Sequence, residues 1–229
     1  KLYALSDDAV EYQIRDRLSF MRFLGLKLTS KVPDAKTVWL FADTLAQAKL
    51  AEPLFERFNT ILQVLGVQMT SGQLIDASFI EVPKQRNSRA ENALIKQDAT
   101  PLDWQDEPAK RAQKDTDARW AQKNNEKHFG YKDHINVDKD SKLIGKFEVT
   151  DAAVHDSQAL ADVLRSAADG GEAVYADSAY KSDEIDGILF AKGLNNKIHE
   201  RGHRNKPLTD AQIADNTFKS RKRSRVEHV

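Results

Sequence analysis

Over residues 1–66 the apolar positions recur at three- and four-residue spacing, the period of helices that bury one face. Ser6-Asp7-Asp8 supplies a cap ahead of Val10, Ile14, Leu18 and Met21. Pro33-Asp34 opens a second helix with Val38, Phe41 and Leu45, and Pro53 a third with Leu54, Phe58, Ile61, Leu62 and Leu65. Gly66 closes this small all-helical domain. The period then shortens: residues 67–82 alternate or run apolar around Leu74, Ile75, Phe79 and Ile80, which predicts a strand bearing Asp76.

Residues 83–127 are rich in charged and amide side chains with few apolar anchors, and read as a mobile, partly helical polar insertion. Trp104 and Trp120 within it have two readings, stacking on bases or anchoring the insertion to the core. Alternation returns at 128–138, and Lys139-Asp140-Ser141 turns the chain into a second strand at 143–150, giving a hairpin. His128 and His134 share a face of the first of these strands, where structural hydrogen bonding is their expected role. Asp156-Ser157 is expected to cap a helix with Leu160, Val163 and Leu164, ending at Gly170-Gly171. Ala173-Val174-Tyr175-Ala176 reads as a short buried strand delivering Asp177. A helix at 182–191, a strand at Lys197-Ile198-His199, a basic loop at 201–207 and a helix from Thr209 towards Glu227 complete the pattern. The order describes an α/β domain over 67–229, a mixed sheet flanked by helices.

With 35 basic and 35 acidic residues in 229, the formal charge is zero, which excludes nucleic-acid binding by uniform positive charge. The distribution is uneven: residues 197–229 carry nine Lys/Arg against four acids, and residues 128–196 seven against thirteen. An acidic centre beside a basic tail suits cations held next to a phosphate backbone. The chain has no cysteine, so disulfides and thiolate metal sites are excluded. No apolar run approaches the roughly 20 residues of a membrane span, so a soluble, cytoplasmic protein with no membrane partner is expected. The absence of an initiating Met, and an end two residues after Glu227, give the chain the look of a fragment.

Three carboxylates stand out. Asp76 and Asp177 each follow an apolar strand-like run, and Glu227 follows Arg221, Lys222, Arg223 and Arg225. Mg²⁺ takes hard oxygen ligands, and carboxylates drawn together repel one another without cations. Taken singly, each Asp also fits a plain strand end, and Glu227 a surface pair with Arg223. A rival motif, His199-Glu200-Arg201-Gly202-His203, satisfies the zinc-protease pattern. That pattern needs a helix, and Gly202 and Pro207 argue against one. His199 and His203 are read instead as loop residues near phosphate.

The chain resembles the DDE transposases of bacterial insertion sequences, in the insertion-sequence-five group. The likeness rests on Ile-Asp-Ala-Ser-Phe-Ile at Asp76, His-Phe-Gly-Tyr-Lys-Asp-His-Ile-Asn-Val-Asp from His128, and Val-Tyr-Ala-Asp-Ser-Ala-Tyr at Asp177. It continues through Arg-Gly-His-Arg-Asn-Lys-Pro-Leu-Thr from Arg201 and Arg-Lys-Arg-Ser-Arg-Val-Glu-His at Glu227. The resemblance implies an RNase H-like catalytic fold, with Asp76, Asp177 and Glu227 as catalytic residues and ligands of two Mg²⁺ ions, for which Mn²⁺ substitutes. It further implies Arg201, Arg204, Lys206, Arg221, Lys222, Arg223 and Arg225 on DNA, the helical front domain on the terminal inverted repeats, and a homodimer joining ends to target DNA. The setting implied is the bacterial cytoplasm, with nucleoid association when DNA is bound. A related pattern has a Tyr three residues before Arg223, where Ser220 stands, and a Lys seven residues after Glu227, beyond Val229. Two other classes fit the same residues: a metal-dependent nuclease of this fold that never joins strands, and an inactive remnant that binds DNA.

Overall fold

A computed structural model describes residues 5–123, 125–166, 170–224 and 226. The chain divides into two compact units, Lys1–Gln68 and Met69–Val229.

The first unit is helical. Helix α1 (Asp7–Asp16) begins where the Ser6 hydroxyl accepts the Ala9 amide at 3.2 Å, with Asp7 and Asp8 placed favourably for the helix dipole. After α2 (Leu18–Phe23), the Asp34 carboxylate caps α3 (Ala35–Gln47) by accepting the Thr37 amide at 2.7 Å. Glu11 of α1 accepts the Ala35 amide at 3.0 Å and so ties α1 to the start of α3. Ile14, Met21 and Val32 form the small core. The apolar stripe of α3 is not buried as its period implies: Phe41 is exposed, as are Trp39 and Leu40. Helix α4 (Ala51–Val64) leaves Phe58, Ile61 and Val64 exposed as well, and Gly66, at φ +84°, ends it in the left-handed region.

The second unit is built on a six-stranded mixed sheet. Strand β1 (Gln73–Glu81) is central. It pairs antiparallel with β3 (Glu126–Asp138), and parallel with β5 (Ala173–Tyr175), which pairs parallel with β6 (Asn195–Asn196). Strand β4 (Ile144–Asp151) forms the expected hairpin with β3. Gly130 lets β3 pass β1 with φ +148°, because a Cβ there would strike the Ile80 carbonyl.

Inside the segment read as a polar insertion, α5 (Arg89–Ile95) and α6 (Pro108–Ala112) precede a strand that the composition concealed. This is β2 (Arg119–Lys123), paired with Glu126–Gly130 of β3. The expected helix after Asp156 is shorter than its apolar period suggests. His155, not Asp156, is the cap, a 3₁₀ turn follows, and α7 spans only Leu160–Val163 before Leu164 turns extended. Helix α8 (Asp183–Ala191) starts at Ser182, and α9 (Asp210–Arg223) at a Thr209–Gln212 capping box. The last strand begins two residues earlier than expected, although Lys197 and His199 still donate their amides to Val174 and Ala176 of the neighbouring chain segment.

Alternation sorts the sheet into two faces. Ile75, Val174, Ala176 and Ile198 bury one face against Leu160 and Val163 of α7 and Ile185 and Leu189 of α8. Leu74 and Val137 lie on the other, covered by Val226. At the start of β1 a buried polar cluster replaces apolar packing. Gln73 accepts from Asn136 Nδ2 at 2.6 Å and from the Arg165 amide at 3.0 Å, and donates to Glu172 at 3.1 Å. Arg165 donates to Asn136, Glu172 and the Met69 carbonyl. Gly145 leaves room for the Arg165 stem, which a Cβ there would strike.

Trp104 is fully buried, so anchoring is its role, and its indole donates to Glu91 at 2.7 Å. Glu91 also closes the Ser88 capping box of α5. Hydrogen bonds from the Ser88 amide and from Trp104 hold its carboxyl at about 2, against an ordinary 4.5. Because the folded value lies below the unfolded one, the contribution to stability is complete above pH 4.5 and is lost as pH falls towards 2. In a chain with Trp39 and Trp120 replaced by Phe, Trp104 fluorescence should therefore report a transition across that window, and Glu91→Gln should remove its pH dependence. An identical acid profile in the Gln variant would disprove the linkage.

Candidate active site

The register of three parallel neighbours builds the site. Gln73 pairs with Val174 and Leu74 with Tyr175, so the same offset, carried on, sets Asp76 beside Asp177. Ala173 pairs with Asn195 and Val174 with Asn196, and the His199 amide donates to the Ala176 carbonyl at 3.2 Å. That offset sets His199 beside Asp177. Each member of this row follows a residue of the same buried cluster, Ile75, Ala176 or Ile198, so alternation turns all three side chains to the opposite face.

Helix α9 covers that face with an unusual polar stripe at helical spacing: Asn216, Lys219, Ser220 and Arg223. Asn216 makes two hydrogen bonds with the Glu200 backbone, at 2.9 and 3.0 Å. Buried Lys219 donates to the Ile198 carbonyl at 3.0 Å and pairs with Asp215 at 2.7 Å, so its charge is spent on holding α9 to the sheet. Ser220 Oγ lies 3.4 Å from His199 Nε2, and Arg223 Nη1 lies 3.4 Å from Asp76 Oδ1.

The electrostatics agree with one shared site. Burial pushes the Asp76 carboxyl above its ordinary range and the Asp177 charge adds to this, while Arg223 and Lys123 oppose it. Asp177 caps the 3₁₀ turn at Ser178 by accepting the Ala179 amide at 2.8 Å. The Tyr180 hydroxyl, buried and without a hydrogen-bond partner among the described residues, is raised by burial and by the charges of Asp156, Asp177 and Asp76. Burial lowers His199, as do the nearby charges of Arg223 and Lys219.

The structure brings Asp76, Asp177 and Arg223 together. Glu227 and Arg225 lie outside the described residues, but Val226 packs on Leu74 and Val137, on the face that Asp76 occupies. Of the helix or helices expected to lead to Glu227, α9 ends at Arg223, and the approach to Glu227 is not wholly within the described residues. Arg201, Arg204 and Lys206 are exposed on a loop closed by the His203–Lys206 bridge, which leaves the zinc-protease pattern without a helix. Arg221 is exposed, and the Lys222 ammonium sits 5.7 Å from the Phe218 ring centre. Sequence reasoning missed three features: the contact of Arg223 with Asp76, the clamp made by Asn216 and Lys219, and the charge of Lys123 near Asp76. The period of Asn216, Lys219, Ser220 and Arg223 was the available signal for the first two.

Asp76 and Asp177 offer a hard-oxygen pair suited to a divalent cation. Among the described residues no three His, Cys, Asp or Glu side chains converge on a metal position, so these two carboxylates would need a further ligand. No described helix is long and apolar enough to cross a membrane.

Two family models match the chain. One, described as Transposase DDE domain, covers residues 68–229, and the other, Transposase domain (DUF772), covers residues 1–44. No solved structure is significantly similar to it. The mixed sheet flanked by helices is accordingly the RNase H-like fold of a DDE domain. With the family match spanning the whole sheet and the helices that cover it, the chain belongs to the DDE transposases of insertion-sequence type.

Proposed function

We propose that the chain cleaves DNA at the ends of an insertion sequence and transfers the freed strand into target DNA, with Asp76, Asp177 and Glu227 as its catalytic carboxylates. The observation that supports this most is the parallel register of β1 and β5, which sets Asp76 level with Asp177 on the face covered by α9. DDE transposase domains generally use divalent metals, and the two carboxylates fit hard cations such as Mg²⁺, with Mn²⁺ substituting. Two ions held by Asp76 with Asp177 and by Asp76 with Glu227 would activate the attacking oxygen and neutralise the leaving one.

In the first reaction water attacks the phosphorus at the element's end. A P–O bond forms, the P–O3′ bond breaks, and the products are a 3′-hydroxyl and a 5′-phosphate. In the second, that 3′-hydroxyl attacks a target phosphodiester and displaces a target 3′-oxygen, so one phosphodiester replaces another and no energy source is required. Arg223 stands ready to exchange its Asp76 contact for a phosphate oxygen, and exposed Arg201, Arg204, Lys206 and Arg221, with Lys222 and Arg225, bind the backbone. The front segment 1–66 recognises the terminal inverted repeats, and a homodimer holds the two ends.

The test is Mg²⁺- or Mn²⁺-dependent nicking, and separately joining of precut ends, on DNA carrying the ends of the source element. Both are expected. Nicking without joining would replace this reading with a nuclease, and binding without either reaction would identify a DNA-binding remnant.

A further inference from the structure

The row across the sheet does not stop at the two carboxylates. Adjacent strands stand about 4.8 Å apart, so His199 is one strand from Asp177 and two from Asp76, on the same face and at the same level. Its position is fixed on both sides. Its amide bonds the Ala176 carbonyl, and Asn216 accepts from the N–H of the next residue, Glu200, and donates to its C=O. Among the described residues the ring hydrogen-bonds only to Ser220 Oγ, through Nε2, which leaves Nδ1 free. Beyond His199 the chain leads directly into the exposed basic loop of Arg201, Arg204 and Lys206.

The backbone of His199 is thus held on both sides, and its half-buried imidazole keeps one nitrogen uncommitted for a ligand lying along the row. The carboxylates on one side repel anions unless cations intervene, and the basic loop on the other attracts them, so a phosphodiester lying along the row would bring an anionic oxygen to the imidazole. We propose that His199 is a further catalytic residue, donating a hydrogen bond from Nδ1 to a non-bridging oxygen of the phosphodiester being cut. No proton is transferred in this role; the bond orients the phosphorus for attack and is strongest when negative charge accumulates on that oxygen. The inference rests on the reading of the site as a phosphodiester-cleaving centre.

The test combines two changes on DNA carrying the source element's ends, at saturating Mg²⁺ and in single turnover. His199→Ala should slow cutting about 10- to 100-fold, the loss expected for one hydrogen bond to a charged oxygen. His199→Asn, which keeps a donor near the Nδ1 position, should restore most of the rate. Replacing one non-bridging oxygen of the cut phosphate by sulfur weakens hydrogen bonding there, so one of the two sulfur stereoisomers should slow the wild-type chain more than it slows His199→Ala. A purely structural histidine would not move that difference. Equal sulfur penalties in the two proteins for both stereoisomers, or a His199→Ala rate within twofold of wild type, would overturn the proposal. Asp76→Asn and Asp177→Asn run alongside: if they too cut normally the site reading itself fails, and if they are inactive while His199→Ala is unaffected only the present inference fails.

Discussion

Asp177→Asn is expected to lower the single-turnover rate of DNA cutting by about a thousandfold or more while DNA affinity stays within a few-fold of wild type. The magnitude follows from what is removed. A carboxylate that holds a catalytic cation is worth several kcal/mol of charge stabilisation in the transition state, and each 1.36 kcal/mol is about a factor of ten in rate. Asn keeps the shape and can still accept the Ala179 amide that Asp177 now accepts at 2.8 Å, so the 3₁₀ turn at Ser178 should survive. Asp76→Asn and Glu227→Gln should behave alike in cutting. Asp76→Asn differs in one respect: it frees Arg223 from its contact at 3.4 Å and removes a negative charge near the phosphate, so its DNA binding should be equal to or tighter than wild type. A binding titration and a cutting assay on the same preparations separate the two effects. Near wild-type cutting by any of the three variants would remove that residue from the site.

The residues proposed to carry this chemistry were more legible than the structure that presents them. Asp76 and Asp177 could be read because each follows an apolar run, Leu74-Ile75 or Ala173-Val174-Tyr175-Ala176, of which Leu74, Ile75, Val174 and Ala176 are core in the fold. The hairpin of β3 and β4 could be read because alternation and the Lys139-Asp140-Ser141 turn agree with each other. Strand β2 could not: Arg-Trp-Ala-Gln-Lys is polar, and its pairing with β3 is visible only once β3 exists. The same holds for α9, whose inward face is polar while Ile213 and Phe218 are exposed, so hydrophobic period points the wrong way round the helix. His199 is legible as the end of a short strand, Lys197-Ile198-His199, leading into a basic loop. Its alignment with Asp177 depends on a register that no local sequence signal records.

Register is also what makes Arg165 the second residue whose loss should be severe. A slip of β1 by one residue would turn Asp76 to the face buried under α7 and α8, so the protein needs a device that specifies the pairing. The cluster at the start of β1 is such a device. Gln73 and Asn136, near-opposite on β1 and β3, are both fully buried, and Arg165 joins them to Glu172 at 3.1 Å and to the backbone before β1. Arg165→Met removes the cation and leaves the carboxylate of Glu172 buried without it, which for a buried pair costs about 3 to 5 kcal/mol. Glu172→Gln alone should cost less, because the guanidinium keeps the buried carboxylate of Asp138 at 3.8 Å. In the double variant both charges are gone, so the two losses should fall short of additivity by about 1 to 3 kcal/mol. Urea denaturation of the four proteins, followed by a probe in the sheet unit, measures that shortfall. Strict additivity, or a loss below about 1 kcal/mol for Arg165→Met, would mean that the cluster contributes no more than a solvent-exposed ion pair and that register is held by the apolar faces alone. If the shortfall is found, a variant that keeps part of its stability but loses cutting would locate the cost of slippage at Asp76, some three residues along the strand from Gln73.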